Sequence, residues 1–183
     1  SEQNLKYDIA QVRALRAFAY FYMVRIWGDV PLVTYSYDNG TFPSMPRTDA
    51  QTVLSYAKAE LLTAIQDLPY QYGTQTNLYY GSYGAQWQGK LFNKLSAYSV
   101  LAHICAWQGN YAEAETYSSF ILDHASEINA KYTSIADLTS ETGLFYSNAS
   151  VKGSRILGFN FAHNDNEATQ SGHLEQLTLA YPL

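Results

Sequence analysis

The residues whose chemistry stands out first lie in one uncharged stretch, residues 69–89, which reads PYQYGTQTNLYYGSYGAQWQG. Aromatic rings stack on the apolar C–H side of a sugar ring, and neutral amides and hydroxyls donate to and accept from sugar hydroxyls. A loop of this length between helices is also uncommon unless it has a function. The stretch therefore predicts a glycan-binding platform with six candidate residues: Tyr72, Asn77, Tyr79, Tyr80, Tyr83 and Trp87.

A second interpretation of the same stretch stays open. Tyrosine and tryptophan are also enriched in protein–protein interfaces, and the aromatic side chains of a loop can fold back over the helices beside it. The residue types fit sugar contact, partner contact and packing on the helices alike.

A weaker candidate group follows the corner WGDVP at residues 27–31. Glycine and proline at such a corner are more typical of a helix stop that redirects the chain than of a binding site. The polar and aromatic residues just after the corner are kept as weaker candidates for sugar contact: Tyr35, Tyr37, Asp38 and Asn39.

A second weaker group lies in the stretch HNDNEATQSGH, residues 163–173. The spacing of its acidic and histidine residues matches no zinc pattern, and a calcium loop needs more carboxylates at alternate positions. We therefore expect no metal site and no cofactor there. As a polar loop, the stretch offers His163 and Asn166 as candidates for hydrogen bonds to a sugar. The four potential metal ligands set aside are His163, Asp165, Glu167 and His173.

Nothing in the chain predicts an enzyme. A glycosidase needs two carboxylates about 5–10 Å apart across a cleft, and the sixteen acidic residues are scattered with no readable pair. Nucleophile-elbow, phosphate-loop and zinc-helix motifs are missing from the sequence. The lone cysteine, Cys105, sits within a helical pattern and is interpreted as a small buried side chain.

The overall composition predicts one globular domain. Hydrophobic residues make up 47% of the 183 residues and charged residues 15%. The net charge of −5 provides no basic footprint for nucleic acid and argues against docking on an anionic membrane surface. No apolar run approaches the length of about 18 residues that a membrane-spanning helix needs.

Four segments have the periodicity and the end signals of helices. After residue 124 the helical period fades, and we expect a short helix at 134–138 and a strand at 155–161. Thr48 and Gln51 have the spacing of a capping box at the start of the second segment. The segments are 7–27, 48–68, 93–108 and 111–124.

The first of these helices is apolar almost all round. Its apolar positions lie on several faces, one of them formed by Leu15, Ala19, Tyr22 and Ile26. A helix of this kind is packed on several sides, so we expect the chain to surround it with other helices. Arg13 and Arg16 share one side of it and are expected to form ion pairs.

The third and fourth segments have the pattern of a tetratricopeptide repeat. Only Gly109 and Asn110 separate them, which predicts an antiparallel hairpin. The second segment repeats the back half of the pattern. The expected fold is mainly α, with tetratricopeptide-like hairpins, long loop insertions and an irregular C-terminal part. Its approximate parts are a split repeat (1–68), an aromatic loop (69–90), a complete hairpin (91–125) and an irregular region (126–183). The matching residues of the hairpin are Tyr98, Leu101, Ala102, Gly109, Asn110, Tyr111 and Ala114.

Three stretches together resemble the SusD/RagB family of Bacteroidetes outer-membrane proteins. They are RALRAFAYFYMVRIWGDVPLV, the capped helix ending AIQDLP, and GKLFNKLSAYSVLAHICAWQGNYAEAETYSSFIL. The stretch FAHNDNEATQSGHLEQLTLAYP is similar to the irregular region that follows the second helical pair in that family.

The resemblance implies a surface-exposed lipoprotein that binds oligosaccharide or polysaccharide and works with a SusC-like TonB-dependent transporter. It implies binding without catalysis, and attachment to the membrane only through an N-terminal lipid anchor. The family's signal peptide and acylated cysteine are not among these residues, and Cys105 lies mid-helix, so we expect the chain to be an internal portion of a longer protein.

Two other functions remain as alternatives. A tetratricopeptide-type adaptor would bind a peptide or protein partner, but a groove that clamps a peptide carboxylate needs basic residues. Lys94 is the only lysine or arginine of the predicted hairpin; it lies in the first helix, and the second helix has no basic residue but His124. A glycoside hydrolase is the enzyme alternative, and it would release reducing ends from a polysaccharide.

Overall fold

The computed structural model describes residues 1–37, 40, 43–73, 78–81, 89–130 and 156–157. Within these residues the chain is mainly helical, as predicted, and an isolated antiparallel bridge joins Val30 to Thr48. The predicted helix at 134–138 and all but two residues of the predicted strand at 155–161 lie outside the described residues. The described helices are α1 (Glu2–Trp27), α2 (Ala50–Asp67), α3 (Lys94–Trp107) and α4 (Tyr111–Asp123), followed by a 3-10 helix at Ala125–Ile128.

Helices α1 and α2 form an antiparallel pair with a small-residue seam. Alanines at α1 positions 10, 14 and 17 and at α2 position 57 are at most 1% exposed, so the two backbones approach closely. At the edge of the seam the Glu60 carboxylate, 8% exposed, accepts hydrogen bonds from Arg13, at 2.9 Å, and from Arg16. The predicted ion pairing of the two arginines is confirmed, with one buried carboxylate serving both.

Helix α1 begins five residues earlier than the pattern predicted. The Ser1 hydroxyl accepts a hydrogen bond from the backbone N–H of Asn4 at 3.3 Å, and the carboxylate of Glu2 lies in the first turn. Both contacts satisfy or complement the free N–H groups of a helix start. Most side chains before Tyr7 are polar, so the apolar periodicity did not predict this first turn.

The corner after α1 is a helix stop, as expected. Gly28 has a φ of 69°, a backbone conformation that favours glycine. The Asp29 carboxylate accepts a hydrogen bond from the backbone N–H of Ala50 at 2.9 Å, which ties the corner to the start of α2. Reciprocal hydrogen bonds of 2.7 and 2.9 Å then join the Tyr20 hydroxyl to the backbone of Val33.

The predicted capping box of α2 is wrong by one residue. The N-cap is Asp49, whose carboxylate accepts from the backbone N–H of Thr52 at 2.9 Å. Thr48 instead pairs its backbone N–H and C=O with Val30, which leaves it outside the helix. A capping box does occur at the start of α3, where Asn93 and Ser96 each accept from the other's backbone N–H at 2.8 Å.

Helices α3 and α4 form the predicted antiparallel hairpin. Gly109 ends α3 with a φ of 79°, and the Asn110 side chain caps α4. Across the pair, the ring centroids of Tyr98 and Phe120 lie 4.3 Å apart. Helix α4 contributes no fully buried residue, so it packs on α3 from one side only.

Cys105 is fully buried, as expected, and this burial raises the pKa of its thiol. An inert packed side chain fits both observations better than a reactive nucleophile.

The described helices do not surround α1 on every side. The inward face is buried against α2 and α3, but Leu15, Tyr22 and Ile26 remain 45–63% exposed. Among the residues that the structure describes, the expectation that helices cover all sides of α1 is therefore wrong for this outer face. An apolar pattern on a second face indicates burial but does not specify which segment supplies the cover.

The described helices include no span that is both long and apolar enough to cross a membrane.

Candidate functional site

Four tyrosine rings lie together beside the first turns of α1: Tyr7, Tyr72, Tyr79 and Tyr80. We call these four residues and Asp8 the tyrosine cluster. Tyr7 meets Tyr72 edge-on with ring centroids 5.4 Å apart. Tyr72 lies 4.9 Å from Tyr79, and Tyr79 lies 4.8 Å from Tyr80. These spacings are those of favourable aromatic pairs, so the rings form one continuous group.

Gln11, one turn after Tyr7 on α1, anchors this group to the start of α3. Its carboxamide donates to the Tyr72 hydroxyl and to the carbonyl of Phe92, and its oxygen accepts from the Phe92 N–H at 3.0 Å. The Tyr72 hydroxyl in turn donates to the same Phe92 carbonyl at 2.7 Å. One side chain thus joins α1, the loop and the residues that lead into α3.

The carboxylate of Asp8 fixes the other half of the cluster. Its two oxygens accept one hydrogen bond each from the hydroxyls of Tyr79 and Tyr80. Hydrogen bonds to a charged acceptor are roughly twice as strong as neutral ones, so the carboxylate holds both rings in place.

The same contacts change the acidity of the phenols. The hydrogen bond to Asp8 is the main cause that raises the pKa of Tyr80, whereas burial is the main cause that raises the pKa of Tyr79. Burial also raises the pKa of Tyr72. All three phenols are therefore neutral at physiological pH and keep their hydroxyl protons as hydrogen-bond donors.

Tyr80 is the member of the cluster that faces solvent. Its side chain is 61% exposed, and its backbone has a φ of 48°. A bulky residue in this left-handed region is an outlier that costs about 1–2 kcal/mol, and such strain tends to occur at functional sites. The fold therefore holds an exposed aromatic ring at an energetic cost.

The structure distributes the predicted platform over two environments. Tyr72 and Tyr79 are 5% and 6% exposed and pack on α1, whereas Tyr80 is exposed. The remaining three platform residues, Asn77, Tyr83 and Trp87, lie outside the described residues. A role of any of the six in glycan contact stays a prediction.

Three residues of α1 that form or anchor the tyrosine cluster were not among the predicted site residues. Tyr7, Asp8 and Gln11 belong to α1, more than sixty positions before their partners in the loop. The available signal was weak: Tyr7 and Gln11 are four apart and share one face of the helix.

The described members of the weaker candidate group after the WGDVP corner, Tyr35 and Tyr37, lie apart from the tyrosine cluster. Tyr35 and Tyr37 pair at a ring-centroid distance of 4.8 Å, and the Tyr37 hydroxyl donates to that of Tyr35 at 2.8 Å. This hydrogen bond raises the pKa of Tyr37 to about 12. The pair follows Val33, which is bonded to Tyr20, about 18 Å along α1 from Asp8 at 1.5 Å per residue.

Four weaker candidates, Asp38, Asn39, His163 and Asn166, lie outside the described residues. Among the residues that the structure does describe, no group of three or more His, Cys, Asp or Glu side chains could hold a metal ion.

An open groove of about 510 Å³ lies between α2 and the turn that joins α3 to α4. Its one basic side chain, Lys58, forms an ion pair with Glu113 of α4. A lysine engaged in this way is not available as a clamp for a peptide carboxylate. The groove is lined by Ser55, Lys58, Ala59, Leu62, Gln108 and Asn110.

Comparison with known proteins shows which structures this architecture resembles. No family model matches the chain, and no curated protein matches it. Among solved structures, a SusD superfamily protein from Bacteroides thetaiotaomicron VPI-5482 is 93% identical, with a TM-score of 0.84; the match covers 100% of this chain and 38% of that protein.

Two more distant structures share the fold. A laminarin-binding SusD-like protein is 23% identical over 80% of this chain and 30% of its own, with a TM-score of 0.55. Surface glycan-binding protein A from Bacteroides uniformis is 24% identical over 67% of this chain and 26% of its own, also with a TM-score of 0.55. The chain thus spans well under half the length of each of these proteins.

The four helices, the helix stop at Gly28 and the hairpin of α3 and α4 are all contained in the match to the Bacteroides thetaiotaomicron protein. With 93% identity over its whole length, the chain belongs to the SusD superfamily.

Proposed function

We propose that the protein binds an oligosaccharide or polysaccharide without catalysing its cleavage, and that the tyrosine cluster contributes to the binding surface. The observation that carries this proposal is Tyr80, an exposed ring that the Asp8 carboxylate holds in a strained backbone conformation. A fixed aromatic face loses little conformational entropy when a sugar ring stacks on it.

The chemistry around Tyr80 supports a sugar better than a charged ligand. The surrounding groups are phenols and a carboxylate already engaged by two hydroxyls. The arginines of the first half of α1 bind Glu60, and Lys94 lies over the ring of Tyr70. The cluster therefore offers ring faces and hydroxyls rather than a site for an anionic group.

Two similar structures support the same class of ligand. One is described as laminarin-binding and the other as a surface glycan-binding protein. By analogy we propose that the whole protein is a lipid-anchored component of the outer-membrane surface. We further propose that it delivers its glycan to a SusC-like TonB-dependent transporter.

Affinity electrophoresis tests the proposal. The protein is run through gels that contain plant, host or microbial polysaccharides, and retardation in one gel identifies the glycan class. Tyr80→Ala is expected to weaken binding by about tenfold, since an aromatic stacking contact contributes about 1–1.5 kcal/mol.

Tyr111→Ala is the matched control, because Tyr111 is 72% exposed but lies at the start of α4, far along the chain from the cluster. Its retardation should equal that of the unmodified protein. Equal retardation of all three proteins would remove Tyr80 from the binding surface, and release of reducing ends from the retained polysaccharide would contradict a non-catalytic role.

A further inference from the structure

A cation and three aromatic rings meet near the C-terminal end of α1. The guanidinium carbon of Arg25 lies 5.4 Å from the ring centroids of Phe21 and Tyr22, which belong to the same helix. It lies at the same distance of 5.4 Å from the ring of Trp107, at the end of α3. Arg25 is about 26 Å along α1 from Asp8 at 1.5 Å per residue, so this group is separate from the tyrosine cluster. We call Arg25, Tyr22 and Trp107 the arginine–tryptophan site.

The arginine–tryptophan site is open to solvent on one side and supported by the core on the other. Phe21 is 3% exposed, whereas Tyr22 and Trp107 are 45% and 54% exposed. Arg25 is exposed as well, and stacking against the rings orients its planar guanidinium before any ligand arrives. A group that is already oriented loses little conformational entropy on binding. The site therefore presents a flat cation beside two accessible rings.

No carboxylate forms an ion pair with Arg25 within the part of the chain that the structure describes. The acidic residues on either side of the link between α1 and α2 are Asp29 and Asp49, and both accept hydrogen bonds from backbone N–H groups of α2. The arginines of the first half of α1, by contrast, share the carboxylate of Glu60. Arg25 thus keeps N–H donors for an anionic acceptor, and charge-assisted hydrogen bonds of this kind are the strong ones.

We propose that the arginine–tryptophan site binds an acidic sugar residue, whose carboxylate or sulfate group pairs with Arg25 and whose ring stacks on Trp107. The inference rests on the proposed function, in which the ligand is a glycan, and adds the charge of one of its sugars. An acidic sugar complements both halves of the site, because its apolar C–H face fits an aromatic ring and its anionic group fits a guanidinium.

The two sites of α1 then recognise different sugars. At the tyrosine cluster the available groups are rings and hydroxyls, which suit a neutral sugar, whereas the arginine–tryptophan site supplies an unneutralised cation. The chain has a net charge of −5, so its overall field repels a polyanion. Retention by an acidic polysaccharide therefore requires a local site of this kind.

Affinity electrophoresis with paired polysaccharides tests the inference. Polygalacturonate carries carboxylates and carrageenan carries sulfates, and fully methyl-esterified galacturonan and agarose are their neutral counterparts. At least one of the two charged polymers should retard the protein more strongly than its neutral counterpart does. Added salt should reduce this difference, because salt screens the charge of an exposed arginine. The charged polymer that retards the protein identifies the anionic group.

Substitutions assign the retardation to the site. Arg25→Gln removes the charge and should weaken binding of the charged polymer about tenfold, and Trp107→Ala should weaken it by about the same factor. Arg25→Lys keeps the charge but not the planar fork, so its binding should lie between those of Arg25→Gln and the unmodified protein. Arg47→Gln is the matched control, since it removes one exposed arginine outside the site and should leave retardation unchanged. Circular dichroism checks that each variant is folded, and Arg25→Lys and Trp107→Ala keep the test valid if Arg25→Gln folds poorly.

Equal retardation by a charged polymer and its neutral counterpart, in both pairs, would overturn this inference and leave the proposed function intact. Losses of the same size in Arg25→Gln and Arg47→Gln would also overturn it, because binding would then follow total charge rather than this site. So would an acidic polymer whose retention falls in Tyr80→Ala and not in Arg25→Gln. If no polysaccharide, neutral or charged, retards the protein, the inference and the proposed function are both contradicted.

Discussion

The helical core and the tyrosine cluster share helix α1 but are held together by different kinds of contact. In the core, the inward face of α1 packs against α2 through a seam of alanines, and the buried carboxylate of Glu60 is matched by two arginines. In the cluster, Tyr72, Tyr79 and Tyr80 each combine ring packing with a specific hydrogen bond to Asp8, Gln11 or Phe92.

The difference between the two regions separates stability from binding. The core depends on volume and burial, so its residue types are set by packing. The cluster depends on hydroxyl and carboxylate positions, and it keeps one ring exposed in a strained conformation. Changes in the core should therefore alter the free energy of unfolding, whereas changes at the rim of the cluster should alter affinity for a glycan.

The largest effect on stability is expected from Leu61→Ala in α2. Leu61 is fully buried in the core, so truncation leaves a cavity and should lower the free energy of unfolding by about 3 kcal/mol. Urea unfolding followed by circular dichroism measures the change. The matched control is Leu62→Ala, one position along the same helix, where 38% exposure predicts a loss below about 1 kcal/mol.

Equal losses for Leu61→Ala and Leu62→Ala would mean that α2 is not packed on one side as described. Glycan retardation of folded Leu61→Ala should equal that of the unmodified protein, because Leu61 belongs to the core alone. A selective loss of retardation in that variant would break the separation of the two regions.

The second prediction concerns alkaline pH and the buried member of the cluster. Burial raises the pKa of Tyr72 above its ordinary value of 10.0, so the folded state favours the neutral phenol. Above pH 10 the unfolded chain loses this proton and the folded protein keeps it. The stability that Tyr72 provides is therefore present below pH 10 and lost as the pH rises, by up to about 1.4 kcal/mol per pH unit.

Tyr72→Phe should show this loss directly. At pH 8 the variant is expected to be less stable by about 1 kcal/mol, because the hydroxyl's hydrogen bond to the Phe92 carbonyl is missing. Between pH 10 and 11 the gap between the two proteins should narrow by about 1 kcal/mol in urea unfolding. Stability curves that stay parallel from pH 8 to 11 would show that Tyr72 is not buried in this way. Tyr111→Phe, at an exposed position, serves as the control.

The hairpin of α3 and α4 and the stop at Gly28 were predictable because their signals are local. Gly109 with Asn110, and the sequence WGDVP, act within a few residues of where they stand. The first residue of α2 was harder to predict because local signals do not decide it. Thr48 and Asp49 are both good N-cap residues, and the distant pairing of Thr48 with Val30 leaves Asp49 as the cap.

The tyrosine cluster was predictable only on one side. The composition of the loop predicted that its residues form a site. Its partners Asp8 and Gln11, however, lie 61–81 positions away along the chain from the groups they bind. Spacing within a segment carries no information about which distant segment docks on it. The exposure of Tyr80 and the burial of Tyr72 and Tyr79 follow from that docking, so sequence alone could not separate them.

The smallest predicted effect is that of Asp8→Asn, which tests whether the tyrosine cluster contributes to binding separately from the stability of the core. The amide keeps the shape of the carboxylate but loses its charge and one acceptor oxygen, so the Tyr79 and Tyr80 hydroxyls lose their shared acceptor. Tyr80 then samples more conformations, and we expect affinity for the retained polysaccharide to fall about threefold, while the free energy of unfolding changes by less than about 1 kcal/mol.

Asp123→Asn, an exposed change at the end of α4, is the matched control for the loss of one negative charge. If Asp8→Asn binds like the unmodified protein while Tyr80→Ala binds weakly, the ring acts without its anchor and the strained conformation has no part in recognition. If instead Asp8→Asn costs several kcal/mol of stability with no selective loss of affinity, the tyrosine cluster belongs to the core, and the two regions of α1 are one.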